Sequence, residues 1–263
     1  MAQSQELSFA LDICELAGAT AMRYQKLGIG SEMKDDGTPV TAADKECERL
    51  IRQGIKQTFP DDDILGEEEG ETVQSRSDRK WIIDPIDGTY NYARGVPIFS
   101  TLLALEAGGE IVLGVVHAPA CNDTFWAEAG AGAYKNGERL RVSTTSQLAE
   151  SQFNFGAPNR ILEKGYWNGF TLLVASTYRQ RGFGDYLGFS FVFEGKAEAM
   201  LEIGVKPWDL APMKVIIVEA GGKYSDLEGG SSIYSGSCLV SNGYLHETIL
   251  QMLTDGRLRL GDK

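Results

Sequence analysis

The sequence predicts a mixed α/β protein whose first half is α+β, with an antiparallel sheet, and whose second half is α/β. Three observations carry that prediction. Two helical runs open the chain before residue 60. A middle stretch to about residue 142 holds short apolar runs separated by a glycine pair and an Asn-Gly turn. Beyond about residue 145, short apolar runs alternate with helical ones. Residues 1–145 and 146–263 are accordingly read as two halves of one compact unit.

The elements follow in order. From residue 6 to about 26, Leu7, Leu11 and Cys14, together with Phe9, Ile13 and Leu16, recur at helical spacing. A polar, glycine-containing stretch spans 28–39. Thr41 followed by Asp44 reads as a capping box opening a second helix, which Pro60 and three aspartates stop near Phe59. Strands are expected at 81–84, 98–107, 111–117 and 124–129, and Asn136-Gly137 marks a hairpin between 133–134 and 140–142. In the second half, strands near 152–155, 177–181, 197–201 and 240–241 lead into helices near 160–173, 185–194, 208–220 and 244–253.

Composition excludes several functions. The chain has 25 basic and 37 acidic residues, a net charge of −12, which repels phosphate backbones and argues against a general nucleic-acid binder. No run reaches the roughly 18 apolar residues of a membrane span. The first 30 residues carry Glu6, Asp12 and Glu15 and lack a basic-then-apolar leader. Cys14, Cys47, Cys121 and Cys238 are far apart and form no C-x-x-C, which suits reduced thiols and a cytoplasmic location. With two histidines, His117 and His246, a His-rich zinc site is excluded, so any metal must be held mainly by oxygen.

Three acidic segments stand out. Glu67, Glu68 and Glu69 are flanked by Gly66 and Gly70, which points to an irregular backbone; taken alone, a solvated loop explains them. Asp84-Pro85-Ile86-Asp87-Gly88-Thr89 closes an apolar strand. Two carboxylates at a Pro-stiffened strand end, with the Ile86 carbonyl between them, make a cage for hard divalent cations, and the amides beyond Asp87 would face an anion. The plainer alternative is an Asp turn using Pro and Gly in their usual roles. Asp209, after Pro207 and Trp208, falls in the first turn of a helix, where any acid is favoured.

Together these segments resemble the inositol monophosphatase family of Mg²⁺-dependent, lithium-sensitive phosphatases. G-E-E at 66–68, D-P-I-D-G-T at 84–89, W-D at 208–209 and A-G-G at 220–222 stand in that family's order and spacing, and the resemblance runs from Lys34 to about Ser241. It implies a layered αβαβα sandwich of the inositol monophosphatase and fructose-bisphosphatase type, acting as one catalytic unit. The stretch from Met33 to Asp44, Arg94-Gly95-Val96-Pro97 and Arg181-Gly182-Phe183-Gly184-Asp185-Tyr186 resemble its histidinol-phosphate phosphatase branch. Tyr90 departs from that branch, which usually has lysine there.

The resemblance implies roles residue by residue. Glu67, Asp84, the Ile86 carbonyl, Asp87 and Asp209 would bind two or three Mg²⁺. Thr89, hydrogen-bonded to Asp44, and Glu67 would orient the attacking water. The amides of Gly88 and Thr89 would hold phosphate, and Lys34 would lie on a mobile loop that closes over the metals. Asp185, Glu202 and Arg181 are the substrate-side candidates; Asp185 reads equally well as a helix-start acid. The expected activity is hydrolysis of L-histidinol phosphate, with inositol-1-phosphate or other sugar phosphates as the in-class alternative and a non-catalytic oligomeric regulator as the remote one. The partners implied are a small phosphate monoester and a second copy in a homodimer, with no nucleic acid and no membrane.

Overall fold

Helix α1 (Gln5–Leu27) buries Leu7, Ala10, Cys14, Ala17, Gly18 and Ala21, a stripe of mostly small side chains that brings the backbone close to its neighbours. A Cβ on Gly18 would stand 2.5 Å from His117 Cδ2. Leu16, expected on the buried face, is 51% exposed, because the packed stripe follows the small residues instead. The structure is a computed structural model that describes residues 3–27, 31–33, 39–74 and 76–256. Lys34, assigned above to a closing loop, lies outside the described residues.

The chain divides into two units, Met1–Glu138 with Ala211–Ile216, and Arg139–Leu210 with Ile217–Lys263. In the first, a ribbon of β1 (Ser31–Met33) and β2 (Pro39–Thr41) precedes α2 (Ala42–Thr58). Then come β3 (Asp63–Gly66), β4 (Gly70–Thr72), β5 (Arg79–Asp87), the short α3 (Thr89–Ala93), β6 (Ser100–Ala107), β7 (Glu110–Ala118), β8 (Asp123–Glu128), β9 (Gly132–Lys135) and β10 (Glu138–Arg139). These last strands make one sheet in the order β10-β9-β8-β7-β6-β5-β3-β4. Its β3–β4, β5–β6, β6–β7, β7–β8 and β8–β9 pairs are antiparallel as expected, whereas β3 runs parallel to β5. The Asn136-Gly137 turn has both residues at positive φ, 49° and 86°, as a two-residue hairpin turn requires.

The second unit holds β11 (Gln152–Phe155), α4 (Pro158–Glu163), α5 (Trp167–Ser176), β12 (Arg179–Arg181), α6 (Asp185–Phe193), β13 (Ala199–Ile203), the two ends of α7 (Pro207–Glu219), β14 (Lys223–Ser225), β15 (Ser237–Ser241) and α8 (His246–Asp255). Its sheet runs β12-β11-β13-β15-β14. It is parallel through β13 and antiparallel beyond, a mixed sheet rather than a simple strand–helix alternation. The helix expected at 160–173 is two helices, broken at Gly165, whose φ of +82° no ordinary helical residue adopts.

Each unit has its own core. In the first, Phe9, Phe59 and Trp81 meet with ring centroids 5.3–5.5 Å apart, and the Trp81 indole donates to Asp62 at 3.0 Å. Ile51, Ile55, Ile64 and Ile83 are wholly withdrawn from water, each contributing about 1.5–3 kcal/mol by burial. In the second, Phe153, Leu173, Leu201, Leu239 and Leu253 fill the centre. Both histidines serve the fold. His117 pairs with Thr124 at 2.8 Å, and His246 lies between Ser241 and Ser225 at 2.8 Å each. Cys14, Cys47 and Cys238 are buried and Cys121 is exposed, all unbridged. Among the described residues, no helix is long and apolar enough to cross a membrane.

A row of small residues crosses the first sheet, Ala104 beside Gly114, Gly114 beside Ala127, and Ala127 beside Ala133. It makes a seat for the middle of α7. A Cβ on Gly114 would stand 2.7 Å from Pro212 Cα and from Val215 Cγ1, and backbone there cannot give way cheaply. Gly114→Ala is therefore expected to cost about 1–3 kcal/mol in urea unfolding; an unchanged midpoint would show that α7 does not rest on that row.

Candidate active site

Two of the three acidic motifs meet because β3 and β5 are parallel and in register, with Gly66 opposite Ile83. The next residue on each strand is an acid, Glu67 and Asp84. The Glu67 amide continues the ladder by donating to the Ile83 carbonyl at 3.2 Å. Both motifs thus sit toward the carboxyl ends of the parallel pair, Glu67 just past the end of β3 and Asp84 near the end of β5, the end at which open α/β sheets place their ligands.

Strand β5 does not end at Asp84, as its apolar run suggested, but continues to Asp87, buried from Trp81 onward. Its pairing with β6 moves from Asp84–Leu102 to Asp87–Ser100, three residues against two. That extra residue is a bulge. It accommodates Pro85, which has no amide for the ladder, and resets the two-residue alternation that would otherwise send Asp84 and Asp87 to opposite faces. Their carboxylates hold oxygens within 4.8 Å of one another. Asp84 Oδ1 accepts from the Ile86 amide at 3.1 Å, and Asp87 Oδ2 from the Ser100 hydroxyl at 3.4 Å. Gly88 then turns the chain at φ +81° into α3, a left-handed position suited to glycine.

Asp44 serves two structures at once. Its Oδ2 accepts from the Thr41 amide at 2.8 Å and hydroxyl at 2.5 Å, completing the capping box of α2. Its Oδ1 lies 3.2 Å from the Thr89 hydroxyl, which also lies 2.9 Å from the Ile86 carbonyl. With one proton, Thr89 donates to one of them at a time and keeps its lone pairs available. Burial, and then the nearby charge of Glu67, push the Asp44 carboxyl above the usual range, against its hydrogen bonds from Thr41 and Thr89.

The turn that carries Glu67 is held by two residues the motif reading missed. Glu48 accepts from the amides of Glu68 at 2.7 Å and Glu69 at 3.0 Å, and pairs with Arg52 at 2.7 Å. A signal existed: Asp44, Glu48 and Arg52 recur every four residues beside the apolar Cys47, Ile51 and Ile55, so these charges fall on the buried face of α2.

The remaining candidates belong to the second unit. Asp209 lies in the first turn of α7 and accepts the Lys206 amide at 2.7 Å, the capping role open to any acid there. Glu202, on β13, is buried in a niche that Gly156 leaves open; a Cβ on Gly156 would stand 2.0 Å from Glu202 Oε2. Burial first, then the charges of Asp185 and Asp209, push the Glu202 carboxyl up to about 8, with Arg160 opposing. Asp185 opens α6 at φ +54°, a left-handed conformation that a plain helix-start acid does not need and that costs of order 1 kcal/mol. Arg181, on the edge strand β12, is exposed and donates to the Gln180 carbonyl at 2.7 Å. Tyr90, where the branch pattern has lysine, is exposed, and the Arg94 guanidinium lies 4.7 Å from its ring.

Comparison with known proteins agrees with this picture. The model of the inositol monophosphatase family matches residues 2–257. A histidinol-phosphatase of Streptomyces coelicolor is 38% identical, over 94% of this chain and 96% of its own. One of Mycobacterium tuberculosis is 36% identical, over 95% and 98%. Among solved structures, an IMPase of Thermotoga maritima superposes with a TM-score of 0.86 at 34% identity, covering 96% of this chain and 98% of its own. The fold class implied by the motifs is thus the one found.

The Glu202 niche makes a testable claim about pH. In the unfolded chain the carboxyl ionises near the ordinary value of 4.5, whereas in the fold it stays neutral to about 8. The unfolded state releases its proton first, so stability falls as pH rises from 4.5 to 8, and the loss is complete above that. Glu202→Gln cannot ionise. In metal-free buffer its melting temperature should gain on the wild type across that window and run parallel to it below and above. A difference that is flat from pH 4 to 9 would contradict a buried, neutral Glu202.

Proposed function

The chain belongs to the inositol monophosphatase family of phosphoric monoester hydrolases, and from that premise we propose that it hydrolyses L-histidinol phosphate with the help of Mg²⁺. The observation that carries the chemistry is the buried pair Asp84 and Asp87, oxygens within 4.8 Å, with the Glu67 backbone continuing the neighbouring parallel strand beside Ile83. Two carboxylates so close, and out of water, repel unless a cation stands between them. The donor set is oxygen throughout, which fits a hard divalent ion. Glu67, Asp84, the Ile86 carbonyl and Asp87 would hold Mg²⁺, two or three ions in all, with Asp209 of the second unit as a further ligand.

Magnesium, once bound, would supply Lewis acidity at the phosphoryl oxygens and make water easier to deprotonate. The chain's own residues do the orienting. Thr89 donates its proton toward Asp44 and offers its lone pairs to the attacking water, whose second hydrogen faces Glu67. The amides of Gly88 and Thr89 hold phosphate oxygens. Attack in line forms the new P–O bond as the ester P–O bond breaks, and the departing alkoxide takes up a proton, giving histidinol and phosphate. Asp185 is the carboxylate that would face the substrate's cationic amine, because Glu202 is neutral near pH 7 until a cation reaches it. Arg181 would sit at the rim. The reading expects a cytoplasmic homodimer.

The substrate rests on the two histidinol-phosphatases at 36–38% identity across nearly the whole chain. A second reading, an inositol-phosphate or broader sugar-phosphate phosphatase, is favoured by the Thermotoga IMPase at 34% identity.

Two measurements test the proposal. Phosphate release should vanish after exhaustive chelation, return with Mg²⁺ and fall with lithium; full activity in chelator would overturn the metal chemistry. For the substrate, Asp185→Asn should lower kcat/KM for histidinol phosphate about tenfold to hundredfold, the worth of a charge-assisted hydrogen bond, and leave inositol-1-phosphate almost unchanged. Equal losses on both would make Asp185 structural, and a wild-type preference for inositol-1-phosphate would establish the second reading.

A further inference from the structure

Glu48 and Arg52 take no part in the chemistry set out above, yet they are 0% and 2% exposed. They stand four residues apart on α2, with Arg52 Nε 2.7 Å from Glu48 Oε1. On a surface such a pair is worth little. Buried, it is tolerated only when the remaining donors and acceptors are also satisfied. Here the β3–β4 turn satisfies them. Glu48 accepts from the Glu68 and Glu69 amides at 2.7 and 3.0 Å. Arg52 donates from Nη1 to the Thr72 hydroxyl at 3.2 Å and from Nη2 to the Gly70 carbonyl. Gly66 closes the arrangement from the other side, since a Cβ there would stand 2.2 Å from Glu48 Oε1 and 2.7 Å from Arg52 Nη2. The ion pair thus holds the backbone of residues 68, 69 and 70 and the Thr72 hydroxyl and packs against Gly66, so it bears on the chain on both sides of Glu67.

We propose that Glu48 and Arg52 are positioning residues for Glu67, a buried carboxylate–guanidinium clamp that fixes the turn in its cation-binding form before any cation arrives. The inference rests on the preceding reading of Glu67 as a metal ligand. Its physical basis is preorganisation: a ligand already fixed loses no conformational freedom on binding, and partners behind a ligand commonly set metal affinity. Glutamine at 48 keeps the shape but brings an amide group to a place filled with donors. Lysine at 52 keeps the charge but cannot reach Glu48, Gly70 and Thr72 together.

The test uses the full chain and Mn²⁺ as the probe, with binding followed by calorimetry, melting in chelator, and phosphatase rates against Mg²⁺ concentration. Glu48→Gln and Arg52→Lys should bind Mn²⁺ about tenfold to hundredfold more weakly at an unchanged number of sites. They should need more Mg²⁺ for half-maximal rate, and saturating Mg²⁺ should recover most of kcat. A role in folding alone moves different quantities, lowering the number of sites and kcat while leaving the affinity of the folded molecules intact; that result overturns the proposal. Glu67→Gln separates the premise. If it binds Mn²⁺ as the wild type does, Glu67 is no ligand and the functional reading of that residue falls, taking the clamp with it. If Glu67→Gln is weakened while the folded clamp variants bind normally, the clamp alone is wrong. Should Glu48→Gln not fold, Arg52→Lys and Thr72→Val, which leave the two amide bonds of Glu48 in place, decide by the same affinities.

Discussion

The parallel pairing of β3 with β5 is the contact on which the first unit's acidic cluster depends. The β3–β4, β5–β6, β6–β7, β7–β8 and β8–β9 pairs of that eight-stranded sheet are antiparallel, and antiparallel neighbours carry their ends to opposite edges. Only a parallel pair delivers two successive chain ends to one edge. With Gly66 beside Ile83, residues 67 and 84 emerge together, and the backbones of acids 17 residues apart in sequence become neighbours. Helix α2 then covers that edge from its own first turn, through Asp44, to its third, through Arg52.

Such concentration of negative charge runs against folding, and the surroundings answer it in different ways. Asp44 is given hydrogen bonds from Thr41 and lies beside the Thr89 hydroxyl. Glu48 receives a guanidinium and two amides. In the second unit, burial pushes the Glu202 carboxyl up to about 8. Asp84 accepts from a backbone amide and Asp87 from a hydroxyl, and their carboxylates still lie close enough for one external cation to bridge them. Stability and function therefore pull in opposite directions at these residues.

Local signals were the ones readable in the sequence. The capping box of α2, the Asn136-Gly137 turn and the strand at 152–155 are each specified by a few adjacent residues, and the structure has them where those residues stand. The motifs at 66–68 and 84–89 were legible because their residue types have few other uses together. Long-range pairing was not. Nothing local says that β3 runs parallel to β5, or that β15 returns antiparallel to β13. The extension of β5 through Pro85 was hidden because proline ordinarily ends a strand, and only the bulge against β6 makes room for it. Glu48 and Arg52 were passed over because charges on a helix are usually solvated, although their spacing beside Ile51 and Ile55 set them on the inner face.

The bulge between Asp84 and Asp87 has a consequence for how this sequence can vary over evolution. Substitutions within the segment alter one side chain each, but a change in its length alters the bulge itself. Deleting one residue there would leave a plain two-for-two ladder against Leu102 and Ser100, with no extra residue to hold Pro85 out of the pairing. Between its two acids the segment is thus more open to changes of spelling than to insertion or deletion. Alignments of distant relatives can be anchored on its length even where its letters differ.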